Sequence, residues 1–143
     1  MVLNTDKCQV VKFDKNDSNG LLTYYLGVAL DNVSNFKYLG VEIASNFNWD
    51  LQVDSVTSRA SQRLGMIKHV LFKAPRKVKK VAYQTLCRPI MEYACEVWDP
   101  HLVRQITSLE NVQRKAVRFI SNLKGTQSVT EARQFLELEL LET

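Results

Sequence analysis

From Ser55 to Met91 the sequence contains no aspartate and no glutamate. Over the same stretch it carries Arg59, Arg63, Lys68, Lys73, Arg76, Lys77, Lys79, Lys80 and Arg88. A run of one-signed charge this long marks a surface able to meet a polyanion; its other explanation is a solvated helix face balanced by counter-ions. After Thr130 the balance reverses, with Glu131, Glu137, Glu139 and Glu142 close together, so the formal net charge of +4 understates how polarised the chain is. Other absences narrow the chemistry. There is no Asp-Asp pair of the kind that anchors two catalytic metal ions. No serine lies in G-x-S-x-G, and there is no glycine-rich phosphate loop. Asp14 and Asp17 lie in a turn-rich loop and read as solubilising groups. His69 and His101 stand far apart, each without a helix-spaced partner, and read as surface or helix-end residues. The cysteines, Cys8, Cys87 and Cys95, are odd in number and form no C-x-x-C. They read as reduced packing residues in preference to zinc ligands or thiol nucleophiles. No apolar run approaches the ~20 residues of a membrane span. The first residues, MVLNTDKCQVVKF, show no basic-then-apolar secretory leader. No complete active site is legible.

What remains is the composition of a globular domain, 45% apolar and 24% charged over 143 residues. Its most informative stretch is Arg88 to Ile120. Ile90, Tyr93, Ala94, Val97 and Trp98 recur at i, i+3, i+4, i+7 and i+8, one stripe of a helix that opens at Pro89. Asp99-Pro100 stops it and starts the next. Leu102, Ile106, Leu109, Val112, Ala116 and Ile120 form a second stripe, opposite Arg104, Gln113, Arg114, Lys115 and Arg118. The spacing predicts a helical hairpin with one apolar seam and one basic side, Trp98 and Leu109 packing across the corner.

In chain order, KCQVVKF (7–13) predicts a strand, DKNDSNG (14–20) a loop, and 21–30 a second strand broken at Gly27. Asp31-Asn32 reads as a turn and Phe36 to Ala44 as the clearest strand, so that an antiparallel meander is the simplest connection. From Asn48 the period changes. Val53, Val56, Ala60, Leu64, Ile67 and Leu71 make a narrow seam, with Arg59 and Arg63 one turn apart on the outward side. Pro75 opens a further helix, with Val78, Val81, Ala82 and Leu86 expected inward and Lys77, Lys79 and Lys80 outward. Gly125 reads as a stop, and Ser128-Val129-Thr130-Glu131 as the capping box of a last helix through Leu136. The expectation is an α+β fold: a short N-terminal antiparallel sheet of about three strands, then a bundle of about five α-helices. The expected division is a β segment over 1–47 and a helical segment over 48–143.

Five pieces in order, LNTDKC, FKYLGVEI, NWDLQVDSV, VKKVAYQTLCRPIMEYACEVWDPH and LENVQRKAVRFI, give the chain a likeness running from residue 3 to about residue 136. They resemble the downstream part of the reverse transcriptase of non-LTR (LINE-like, jockey- or CR1-type) retrotransposons. The resemblance implies an RNA-directed DNA polymerase as parent, with fingers and palm lying upstream and Mg²⁺ bound by carboxylates that this chain lacks. It implies that Asn4 and Lys7 fall on a lysine box near the incoming nucleotide. Tyr38, Leu39 and Gly40 fall on the hairpin that supports the primer 3′ end. Residues from Asn48 onward fall on the thumb, where Arg59, Arg63, Lys77, Lys79 and Lys80 would meet nucleic-acid backbone. The implied partner is a template–primer duplex, with no membrane. The chain alone is expected to hold nucleic acid without polymerising. Two rivals are a non-enzymatic nucleic-acid-binding remnant of a decayed element and a helical protein-interaction scaffold.

Overall fold

The computed structural model of the protein describes residues 4, 8–13, 24–25 and 27–122. The chain divides into two compact units, Met1–Gln52 and Val53–Thr143. The division falls inside the first turn of a helix, a little beyond the change of period at Asn48. The fold is mixed, α+β, with small sheets and helices.

In the first unit the described strands form two pairs. β1 (Gln9–Val10) runs parallel to β2 (Asp31–Asn32), in register Gln9 with Asp31. β3 (Asn35–Tyr38) and β4 (Val41–Ala44) form an antiparallel hairpin in which Phe36 faces Ile43 and Tyr38 faces Val41. Three expectations are corrected. The pairing is no antiparallel meander, because the long connection between β1 and β2 permits a parallel return. Asp31-Asn32 is strand, and the bend lies earlier, around Gly27 at φ +80°, where Leu30 N–H reaches Tyr24 C=O. Phe36 to Ala44 is two strands, since the chain turns at Leu39-Gly40. Phe13 stacks on Phe47 at 4.8 Å between ring centroids and meets Phe36 edge-on at 6.3 Å, a small aromatic cluster in which Phe13 and Phe47 remain exposed. The Glu42 N–H donates to Gln52 Oε1 at 2.9 Å, and Gln52 is fully buried. This bond ties the hairpin to the residue just inside the first helix.

That helix, α1 (Asp50–Val70), begins where asparagines take over the backbone donors. Asn48 Oδ1 accepts from Asp50 N–H at 3.0 Å, and Asn46 Oδ1 accepts from Asn48 N–H. In the second unit α1 buries the expected seam of Val53, Val56, Ala60, Leu64 and Ile67. α2 (Arg76–Leu86) follows Pro75, and α5 (Val103–Ser121) buries Leu109, Val112, Ala116 and Ile120. Leu102 and Ile106, expected on that stripe, stay partly exposed, while Val117 and Gln113 are fully buried. Gln113 therefore leaves the basic side on which its polarity had placed it.

The single helix expected over 89–98 is two short ones, α3 (Arg88–Glu92) and α4 (Cys95–Trp98). Ala94 breaks it with φ +54°. Trp98 is fully buried, and its indole N–H donates to Tyr93 C=O at 2.8 Å, filling an acceptor that the break releases. A non-glycine residue in the left-handed region costs about 1–2 kcal/mol. Burying a tryptophan's 150–250 Å² at ~25 cal/mol per Å² returns up to about 4–6 kcal/mol. The break therefore wins: it rotates Trp98 into the core and leaves Tyr93 and Val97 outside. Cys87 joins this core, donating its thiol to Ala60 C=O at 3.4 Å. Burial pushes the thiol pKa up to about 11 against a smaller opposing pull from Arg63. A thiol held protonated in this way packs; it does not attack.

Candidate nucleic-acid interface

The hairpin bend is built by two residues with positive φ, Leu39 at +46° and Gly40 at +86°. Two left-handed residues between antiparallel strands make the turn whose twist matches a hairpin. Glycine adopts this conformation freely; leucine does not. The bend presents its apolar side chains to solvent, Tyr38 being 61% and Leu39 73% exposed. Lys37 Nζ and Glu42 face each other across the strands at 3.2 Å and fix the register. A strained leucine at an exposed tip is a feature that sheet packing alone does not demand. Leu39→Asn restores the favoured Asn-Gly pair and is expected to stabilise the protein by about 0.5–1 kcal/mol. Denaturant midpoints for the two proteins test this; a lower midpoint for the variant would mean the leucine side chain is held by packing after all.

On α1, Arg59 and Arg63 are both exposed and lie one turn apart, Arg59 Nε reaching Ser55 C=O at 3.4 Å. Arg63 is close enough to Cys87 for its charge to act on that thiol, so this flank of α1 runs beside the α2–α3 junction. On α2, Lys77 is exposed and Lys80 half-buried. Lys79 is misplaced by the sequence reading: it is buried to 2% exposure. Its Nζ donates to Asn122 Oδ1 at 2.9 Å and lies 4.6 Å from the centroid of the Phe119 ring. Asn122 caps α5 in the left-handed conformation, at φ +54°. A cation there meets the negative end of the α5 dipole, an amide oxygen and an aromatic face together. Lys79 is therefore spent inside the protein and presents no charge to a phosphate. Val78, Val81 and Leu86, expected inward, are correspondingly outside. Lys7 lies outside the described residues.

One grouping escaped the sequence reading. Lys68 of α1 has its pKa lowered, first by burial and then by the charge of Lys115 on α5. Lys115 also lines an open polar groove between the two helices with Asp54, Thr57, Ser58, Ser61, Ser108 and Asn111. Both lysines are visible as basic positions in the sequence. That the charge of one acts on the other, across two helices far apart in the chain, has no local signal in the sequence. Among the described residues no three His, Cys, Asp or Glu side chains stand together to hold a metal ion, and no helix is long and apolar enough to cross a membrane.

No family model, no curated protein and no solved structure matches the chain.

Proposed function

We propose that the chain is the primer-grip and thumb portion of a reverse transcriptase of the non-LTR retrotransposon type, holding a template–primer duplex. The observation that carries this reading is the tight bend at Leu39-Gly40. The residues whose sequence resembles the primer grip are the ones that form an exposed hairpin tip with strained backbone. Further support comes from the order of the five sequence pieces and from the exposed cations on α1 and α2 in a stretch without acids. Nucleotidyl transfer belongs to the parent enzyme, whose palm carboxylates would hold Mg²⁺. This chain's part is to grip backbone by charge and shape. With Lys79 removed from the set, Arg59, Arg63, Lys77 and Lys80 are the contacting residues.

Phosphate contacts release counter-ions, so three or four of them give log K against log salt a slope of about −3 to −4 on a duplex. The experiment is an anisotropy titration on an RNA–DNA hybrid at several salt concentrations. Replacing Arg59 and Arg63 together with Ala is expected to flatten the slope by about one to two, roughly one per lost contact. Scrambled sequences should weaken equally, because backbone contacts carry no sequence information. Identical slopes for the two proteins would take these arginines off the binding surface. No binding at ~10 mM salt, where counter-ion release is most favourable, would favour a helical interaction scaffold instead.

A further inference from the structure

The groove between α1 and α5 has its chemistry sorted along its length. It is open, about 290 Å³ in volume, and its walls are polar apart from Val112. On α1 it is bounded by Asp54, Thr57, Ser58 and Ser61, at i, i+3, i+4 and i+7, one face of the helix. At about 3.6 residues per turn, Arg59 and Arg63 lie on the far flank of the buried seam from these residues. The groove therefore shares no residue with the proposed duplex grip. We propose that it binds the sugar–phosphate edge of an RNA strand, accepting hydrogen bonds from ribose 2′-hydroxyls at one end and meeting phosphate at the other.

Hydrogen-bond direction is the first reason. A hydroxyl has one proton to give and lone pairs to receive with. Thr57 Oγ1 donates its proton to Val53 C=O at 2.8 Å, and Ser108 Oγ donates to Arg104 C=O at 2.9 Å. Both protons are thus spent on the helices' own backbones. What these hydroxyls offer the groove is acceptor capacity, and the Asp54 carboxylate in the same wall is an acceptor only. A row of acceptors suits a ligand that brings donors. The sugar–phosphate chain of DNA brings none; that of RNA brings a 2′-OH at every nucleotide.

Charge is the second. Lys115 lines the groove, and the pKa of Lys68 is lowered first by burial and then by the Lys115 charge. Lys68 stands two turns beyond Ser61 near the end of α1, while Asp54 is near its start. The groove therefore runs from an acidic end to a basic one. An anion beside two mutually repelling amines relieves their repulsion. Phosphate suits that end and is repelled at Asp54, which sets the ligand's direction. Between Ser61 and Lys68 the way is open, for a Cβ added at Gly65 would meet nothing within 4 Å.

Shape is the third. Pockets that engulf a small ligand run to about 300–1,000 Å³ and close around it. An open channel at the bottom of that range takes the edge of a passing chain. From Asp54 to Lys68 it follows α1 for about 21 Å, room for several nucleotides.

The test is fluorescence anisotropy on the full chain with labelled single strands of one mixed sequence, as RNA, as DNA and as 2′-O-methyl RNA. RNA is expected to bind at least about fivefold tighter than DNA, the worth of two hydrogen bonds. The 2′-O-methyl strand has no proton to give and is expected to bind as DNA does. Thr57→Val combined with Ser108→Ala removes two acceptors. It is expected to bring RNA down to the level of DNA, while an unchanged DNA affinity reports that the variant is folded. Lys115→Ala should weaken RNA and DNA alike and flatten the single-strand salt slope by about 0.7. Arg59→Ala with Arg63→Ala should leave the ratio of RNA to DNA affinity at its parent value, whatever it does to duplex binding, so the groove and the duplex grip are judged separately. Equal affinity for RNA and DNA in the parent protein overturns the proposal. So does a 2′-O-methyl strand that binds as RNA does, or an RNA preference that survives Thr57→Val with Ser108→Ala. A preference lost with the two arginines overturns it in favour of a 2′-OH contact at the duplex grip.

Discussion

Trp98→Ala is expected to cost about 3–5 kcal/mol, the range for deleting a fully buried large aromatic side chain. Trp98 has no exposed surface, and its indole N–H is the partner of Tyr93 C=O at the break between α3 and α4. Truncation leaves a cavity and also removes the donor that the broken helix uses. In a unit of this size each kcal/mol moves the melting temperature by roughly 4–8 °C. The variant should therefore melt at least about 12 °C earlier. Trp98→Phe separates the two contributions. It keeps most of the volume, loses the hydrogen bond, and is expected to cost about 1–2 kcal/mol. Leu109→Ala, also in the core, should cost about 2–5 kcal/mol. Val97→Ala, at an exposed position one residue away, should stay within ~0.5 kcal/mol. Thermal melts of the four variants beside the parent protein decide the matter. Equal small losses at 97 and 98 would mean that the helix is continuous and Ala94 is not its break.

The same contrast shows what could be seen in the sequence. Where burial follows apolarity at a fixed period, sequence and structure agree. The α1 seam from Val53 to Ile67 and the α5 seam from Leu109 to Ile120 are both occupied as spaced. Agreement ends where one large or charged side chain outweighs the period. Trp98 bends the chain at Ala94 because its burial exceeds the cost of a left-handed alanine. Tyr83 and Lys79 turn α2 over, because a ring and a helix-capping amine have places in the core that the valines do not. Gln113 is buried on α5 although its residue type argues for the surface. The parallel pairing of β1 with β2 rests on two residues from each strand, too short a stretch for any periodicity to register. The resemblance pointed to a hairpin at Tyr38, Leu39 and Gly40, and the chain does turn there; contact with a primer stays part of the proposal. The influence of Lys115 on Lys68 required the tertiary fold.

Lys79→Met is expected to destabilise the protein by about 1.5–3 kcal/mol while leaving the salt dependence of nucleic-acid binding unchanged. Methionine keeps the length and apolarity of the stem, so the packing loss is small. What disappears is the ammonium that joins α2 to the C-terminal end of α5: Nζ to Asn122 Oδ1 at 2.9 Å, over the Phe119 ring at 4.6 Å. A hydrogen bond to a charged donor contributes about 1.5–3 kcal/mol, and a desolvated cation over an aromatic ring up to about 2 kcal/mol more. Part of this is offset in the parent protein by the cost of burying the charge. Asn122→Gly keeps the left-handed cap and removes only the acceptor. A double-mutant cycle of Lys79→Met with Asn122→Gly should then show a coupling above about 0.5 kcal/mol, since the two side chains touch. Strict additivity would mean that Lys79 gains nothing from Asn122. The binding arm separates the two roles open to this lysine. A residue on the phosphate-contacting surface would flatten the slope of log K against log salt by about one when neutralised. A buried cap changes stability and leaves that slope as it was. A stable Lys79→Met protein with a flattened slope would return Lys79 to the surface and reverse the facing of α2.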